Sequence, residues 1–186
     1  MRLNVSFDAR EVERALTDLE RQALPAAMTR ALNKTATAVR ANVTRQIRKE
    51  RPGLKAGTIR EQLKIERAKR RLPEASVVAS GRPIPLRDYG ARKTKAGVTV
   101  QVGPGGRKRV AHNGNRAFVV DRIGGHVFAR EGRKRLPIKK LYGPSIPSTF
   151  LKEPIVQAMR EEAGRTMPKR LREELNFELR RLGMKA

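Results

Sequence analysis

The chain has no cysteine and no tryptophan, and only two tyrosines and five phenylalanines among 186 residues. Without cysteine there is neither a disulfide framework nor a thiolate metal site, so stability has to come from packing or from assembly with other copies. Aromatics make up 4% of the chain and apolar residues 38%, so any core is aliphatic and modest. No apolar run approaches the roughly 18 residues that cross a bilayer, and the opening MRLNVSFDAR lacks the apolar centre of a signal peptide. The expectation is a soluble protein made inside the cell, with no membrane partner.

Catalytic groups are equally scarce. His112 and His126 are the only histidines, and neither sits in an HxxxH or HExxH spacing. The aspartates Asp8, Asp18, Asp88 and Asp121 are scattered, with no paired carboxylates for a two-metal site. GPGGRK at 103–108 looks superficially like a phosphate-cradling loop, but it lacks the four-residue spacer and the Ser or Thr of a P-loop, and a hairpin turn with basic residues accounts for it better. These absences predict a protein that is not an enzyme and that uses no cofactor or metal.

Positive charge is what the chain has in excess. Lys and Arg number 43 against 18 Asp and Glu, a formal +25. A field of that sign draws polyanions and speeds their association, which points to nucleic acid, acidic protein surfaces or anionic lipid.

The pattern along the chain predicts an α+β fold in a single domain, with helices and a strand over 1–50, a sheet region with basic loops over 62–141 and a helical region over 148–184. RLNVSF at 2–7 alternates as a short strand, and Asp8 with Glu11 forms a capping box that opens a helix. Pro25 suits the first turn of a second helix, whose stripe runs through Met28, Leu32, Thr35, Val39, Val43 and Ile47 to about Lys49. Alanines along it allow a close neighbour. After Pro52-Gly53 come a short helix from Thr58, a polar edge strand near 64–71 and a strand at 75–80, followed by a mobile basic loop at 88–96. Val98, Val100 and Val102 mark a strand, and 116–121 with 126–131 flank Ile123-Gly124-Gly125 as a β-hairpin. A mostly antiparallel sheet of four to five strands results, packed with the long helix of the N-terminal half. The C-terminal helical stripe is interrupted by Pro168, which predicts a bent or two-part helix.

Basic residues recur at turns and strand ends. Arg67, Lys69, Arg70 and Arg71, then Arg92, Lys93 and Lys95, then Arg107, Lys108 and Arg109 are the candidates for facing DNA or an acidic partner. Few aromatics lie among them, so phosphate contact without base stacking is the expected mode, with a strong salt dependence. Pairing of these cations with an acidic neighbouring subunit is the competing reading.

The stretch 132–150, GRKRLPIKKLYGPSIPSTF, is a second candidate. Pro137, Pro144 and Pro147 forbid an ordinary helix through it, although a short edge strand at 136–141 fits. It is expected to fix the C-terminal helix against the sheet and to serve as a subunit-interface connector, through Arg133, Leu136, Ile138, Lys139, Lys140, Leu141, Tyr142 and Ile146.

Three segments in order, AMTRALNKTATAVRANV, SGRPIPLRDYGARKTKAGVTVQV and GHVFAREGRKRLPIKKLYGPSIPSTF, resemble the minor tail protein Z family of tailed bacteriophages and prophages. The resemblance runs from Pro25 to Ile155. It implies a structural virion protein that completes the tail or neck at its head-proximal end. It implies self-association as a ring, with a hexamer expected, and contacts with tail terminator, tail tube or head-tail connector proteins. Genomic double-stranded DNA would pass through the lumen, and the protein would stand in the host cytoplasm until assembly into the virion. It supplies no catalytic residue. The alternative is a sequence-nonspecific nucleic-acid-binding protein of ribosomal or chromosomal type.

Overall fold

A computed structural model describes Thr17, Arg21 and residues 23–183. The expected strand at 2–7 and the capping box at Asp8 lie outside the described residues. The remaining elements are α+β with antiparallel pairing throughout the named registers.

Helix α1 spans Leu24–Glu50, with Pro25 in its first turn and Arg48 and Lys49 in its last, where cations offset the exposed carbonyls. A short helix α2 (Ala56–Glu61) follows. Strands β1 (Leu63–Glu66) and β2 (Ser76–Ala79) pair with each other. Strand β3 (Ile84–Pro85) leads into a single 3-10 turn, Leu86–Tyr89. Strands β4 (Arg92–Thr94), β5 (Gly97–Val100), β6 (Lys108–His112) and β7 (Asn115–Arg116) form a four-stranded sheet in chain order. Three residues of the expected mobile loop at 88–96 are therefore strand, because β4 pairs with β5 across a tight turn, after which Gly97 takes φ +121°. Asn113 and Gly114 both have positive φ, as a two-residue hairpin turn between β6 and β7 requires.

The hairpin around Ile123-Gly124-Gly125 is present: β8 (Phe118–Val120) and β9 (His126–Arg130) pair across it, and β10 (Ile138–Lys140) adds to the far side of β9. Val127, Phe128 and Ala129 in the central strand are all buried, so β9 is covered on both faces. Strand β11 (Tyr142–Gly143) returns to pair with β3. The strands thus divide among small sheets of two to four strands. Helix α3 (Ile146–Phe150) is capped by Ser145, whose hydroxyl accepts from the Ser148 amide.

Helix α4 (Glu153–Arg181) continues through Pro168 without a restart. The proline removes the one amide that would bond the Gly164 carbonyl. Side chains to either side of it are held by α1: the Thr35 hydroxyl donates to Met167 Sδ at 3.6 Å, and Arg30 and Lys34 grip Glu174.

The described residues gather into two compact units. The first comprises the chain through Ala38, Glu66–Ser76 and the chain from Ala163; the second comprises Val39–Ile65 and Val77–Glu162. Both long helices contribute residues to each. In the first unit the buried apolar residues are small: Ala23, Ala26, Ala27, Ala31, Ala36 and Ala68. Asn33 clamps its inner segment by donating to the Ala68 carbonyl at 3.1 Å and accepting from the Ala68 amide at 2.9 Å. The second unit is filled by larger groups, including Val43, Ile47, Leu54, Ile59, Leu63, Ile84, Val127, Ile146 and Ile155.

Tyr89 stands at the middle of the second unit with 0% of its surface exposed. Its hydroxyl donates to the Pro144 carbonyl, its own carbonyl accepts from the Gln101 amide, and the Gln101 carbonyl accepts from the Gly53 amide. Gly143 lies so close that an added Cβ would stand 2.5 Å from Cε2 of the Tyr89 ring. Burial pushes the phenol up to about 12, so it remains a donor at neutral pH.

Candidate partner-facing basic surface

Directly opposed residues in an antiparallel ladder share a face. In the four-stranded sheet Arg92 opposes Thr99, and Thr99 opposes Arg109. Two residues further along β6, Ala111 opposes Arg116. Arg92, Arg109 and Arg116 are therefore set on one face by strand register alone, and all three are exposed. Arg107, two residues before Arg109, belongs to the same side but is tied down. Its Nη2 donates to the Thr99 carbonyl at 2.8 Å and to the Gly90 carbonyl, and its Nε donates to Thr99 Oγ1 at 3.3 Å.

Among the described residues no carboxylate forms an ion pair with Arg92, Arg109 or Arg116. The chain has no Asp or Glu from Tyr89 through Val120, and the acids between Ala75 and Lys152 are Asp88, Asp121 and Glu131. Asp88 is taken by Arg87 and Asp121 by Lys93. Lys93 opposes Val98 and so stands on the opposite side of the sheet from Arg92, as does Lys108, which opposes Val100. Lys95 is exposed in the turn between β4 and β5.

Arg67, Lys69, Arg70 and Arg71 belong to the first unit and are all exposed, on a turn closed by reciprocal backbone bonds between Lys69 and Leu72. Among the described residues none of the four has an ion-pair partner.

The connector divides between the inside and the outside of the second unit. Leu141 and Ile146 are buried in its core, while Leu136 is 65% and Tyr142 51% exposed. Ile138 and Lys140 are half-buried in β10; Arg133 and Lys139 are exposed. Lys140 lies over the Tyr142 ring, 5.5 Å from its centroid, which holds both side chains on the surface. Leu141, Ile146 and the Gly143-Pro144 contact with Tyr89 pack the connector into the second unit.

Two residues were not among the sequence candidates. Arg116 joins the face only through β7, and the signal for it was the Asn113-Gly114 pair that announces a hairpin. Tyr89 was hidden inside a basic loop, where one of only two tyrosines in the chain was itself the cue. His126 sits near this region with its Nδ1 buried and unpartnered among the described residues. Burial, then the charges of Lys140 and Arg87, hold its pKa below the ordinary histidine value.

The sequence pattern of the family described as prophage minor tail protein Z (GPZ) matches residues 9–185. The chain belongs to that family. None of the curated proteins or solved structures compared with it matches. As a phage tail component, this family member meets other proteins of the virion, and no helix among its described residues is long and apolar enough to cross a membrane.

Proposed function

We propose that this minor tail protein completes the tail at its head-proximal end as a ring of identical copies, without catalysing a reaction. The sheet face of Arg92, Arg109 and Arg116 is directed at phosphate, in the lumen through which the genome passes. The observation that carries this reading is the register that puts three exposed arginines on one face within an acid-free span of sequence. Such a face attracts duplex DNA without reading bases, as a conduit needs, since counterion release is indifferent to sequence. The exposed connector side chains Arg133, Leu136, Lys139 and Tyr142 are proposed to meet a neighbouring copy or an adjoining terminator, tube or connector protein.

Electron microscopy of particles assembled with and without the protein tests the placement. Loss of the junction between head and tail is expected, and intact junctions in its absence overturn the reading. A lone subunit that binds duplex tightly but never joins tail tubes would instead favour a free nucleic-acid-binding protein.

A further inference from the structure

Behind the sheet face lies a pocket of about 360 Å³ within the second unit, lined by Val100, Gly103, Gly105, Gly106, Lys108 and Arg51. Arg51 follows directly on α1 and is half-buried. Its Nε donates to Thr149 Oγ1 at 3.1 Å and its Nη1 to the Val102 carbonyl at 3.5 Å. Both acceptors are neutral, and a guanidinium carries five N–H donors, so Arg51 is fixed in position with its charge uncompensated by hydrogen bonding. Glu50, its sequence neighbour, is occupied by Lys152. Lys108 enters the same pocket from β6, and among the described residues no carboxylate pairs with Arg51 or Lys108.

The glycines add an independent observation. Gly106 needs to be glycine for its φ of +83°. Gly103 and Gly105 have no such conformation, and a Cβ added at either would meet nothing within 4 Å. Neither backbone geometry nor the packing of this chain therefore calls for glycine at those two positions. What bare backbone does provide is close approach of a ligand to main-chain N–H groups. A fixed guanidinium and a lysine beside such a turn suit a group with several oxygen acceptors and a full negative charge.

We propose that the pocket formed by Arg51, Lys108 and the Gly103–Gly106 turn binds a phosphate group. The sources of that chemistry are free phosphate and a backbone phosphate of nucleic acid; only the second rests on the DNA-facing reading above. A DNA phosphate held here would anchor the strand on the opposite side of the sheet from Arg92 and Arg109, at the end where β5 turns into β6.

The test is an amide-resolved NMR titration of the full chain, first with inorganic phosphate and then with a short DNA duplex, against sodium chloride at matched ionic strength. Saturable shifts at Gly103, Gly105 and Gly106 are expected with phosphate and not with chloride. Lys108→Ala is expected to weaken them about tenfold, the size of one charge-assisted hydrogen bond. Lys108 is exposed, so this variant keeps the fold; Arg51→Gln, which also loses the Thr149 and Val102 contacts, is the second variant, read only after its folding is verified. Glycine shifts that are absent, or the same with chloride, overturn the proposal. Duplex that moves the amides of Arg92, Arg109 and Arg116 while neither ligand moves the glycines overturns the pocket and leaves the sheet face standing. Saturable phosphate shifts with no response to duplex sustain the pocket, assign its ligand as free phosphate and count against the DNA-facing reading.

Discussion

In the first unit the cations of α1 close over buried acids, whereas in the second unit those of the sheet face stand without any. Arg30 donates from Nε to Glu174 and from Nη2 to Glu178, Lys34 adds a second contact to Glu174, and Arg30 also stacks 5.3 Å from the centroid of Phe177. Glu174 and Glu178 are only 5% and 2% exposed. Burial alone would raise the Glu174 carboxyl, but the hydrogen bonds from Lys34 and Arg30 outweigh it and hold the group below the usual carboxylate range. Arg92, Arg109 and Arg116 have no such counterpart among the described residues. The same residue type therefore serves as internal structure in one region and as surface field in the other, and a formal charge of +25 does not separate the two. What separates them is whether a second element carries acids to the same place. α4 does so for α1 in the first unit, and none of β4–β7 contains an acid.

The largest expected difference comes from removing Arg30. Arg30→Ala leaves Glu178 buried with only Arg181 at 3.5 Å beside it, and should cost about 2–3 kcal/mol in urea unfolding, below the full cost of breaking a buried pair because the Arg30 side chain is itself 37% exposed. A loss under about 0.5 kcal/mol would mean the seam is ornamental and the contrast false. Gly143→Ala is next, at about 1–3 kcal/mol, because the new methyl must displace the Tyr89 ring. An unchanged unfolding midpoint would remove the packing role from the connector. On the sheet face the effect should appear in binding and not in folding. Replacing Arg92, Arg109 and Arg116 together by Gln should lower duplex affinity and flatten its log-log salt dependence by about one unit per lost phosphate contact. Unaltered affinity and slope would sink the DNA-facing assignment. Smallest of all, Arg109→Ala should leave stability within about 0.5 kcal/mol of the parent.

Acidification sharpens the same contrast. The folded His126 binds its proton less readily than the unfolded residue, so its contribution is present above about pH 6.5 and declines as pH falls below that value. Glu174 has a folded pKa lower than 4.5, so its contribution is full above that pH and is lost as pH falls further, through the folded value. Stability followed by denaturant titration from pH 8 to pH 3 should decline in those two separate windows. Glu174→Gln should shrink the lower one, leaving the part that Glu50 contributes, since Lys152 also holds that carboxyl below its ordinary value; an undiminished step would take Glu174 out of it.

Much of the fold follows from local signals. Pro25 and the stripe from Met28 to Ile47 define α1, alternation at Val98 and Val100 defines β5, and the paired glycines after Ile123 define the turn between β8 and β9. Of the bent or two-part helix expected at Pro168, the two-part form does not occur: the lost hydrogen bond and the ring clash are local costs, and contacts with α1 to either side hold α4 continuous. The strand at Arg92–Thr94 escapes a hydrophobicity reading because all three of its residues are exposed, and only its ladder with β5 makes it a strand.

The sequence by itself determined the sign and size of the charge, the α+β order of elements and the family, since each is a property of composition, period or residue pattern along the chain. The tertiary structure alone decided which cations are spent internally and which face outward. That depends on pairings between positions more than a hundred residues apart, such as Arg30 with Glu174, and on a strand register that aligns Arg92, Arg109 and Arg116 on one face.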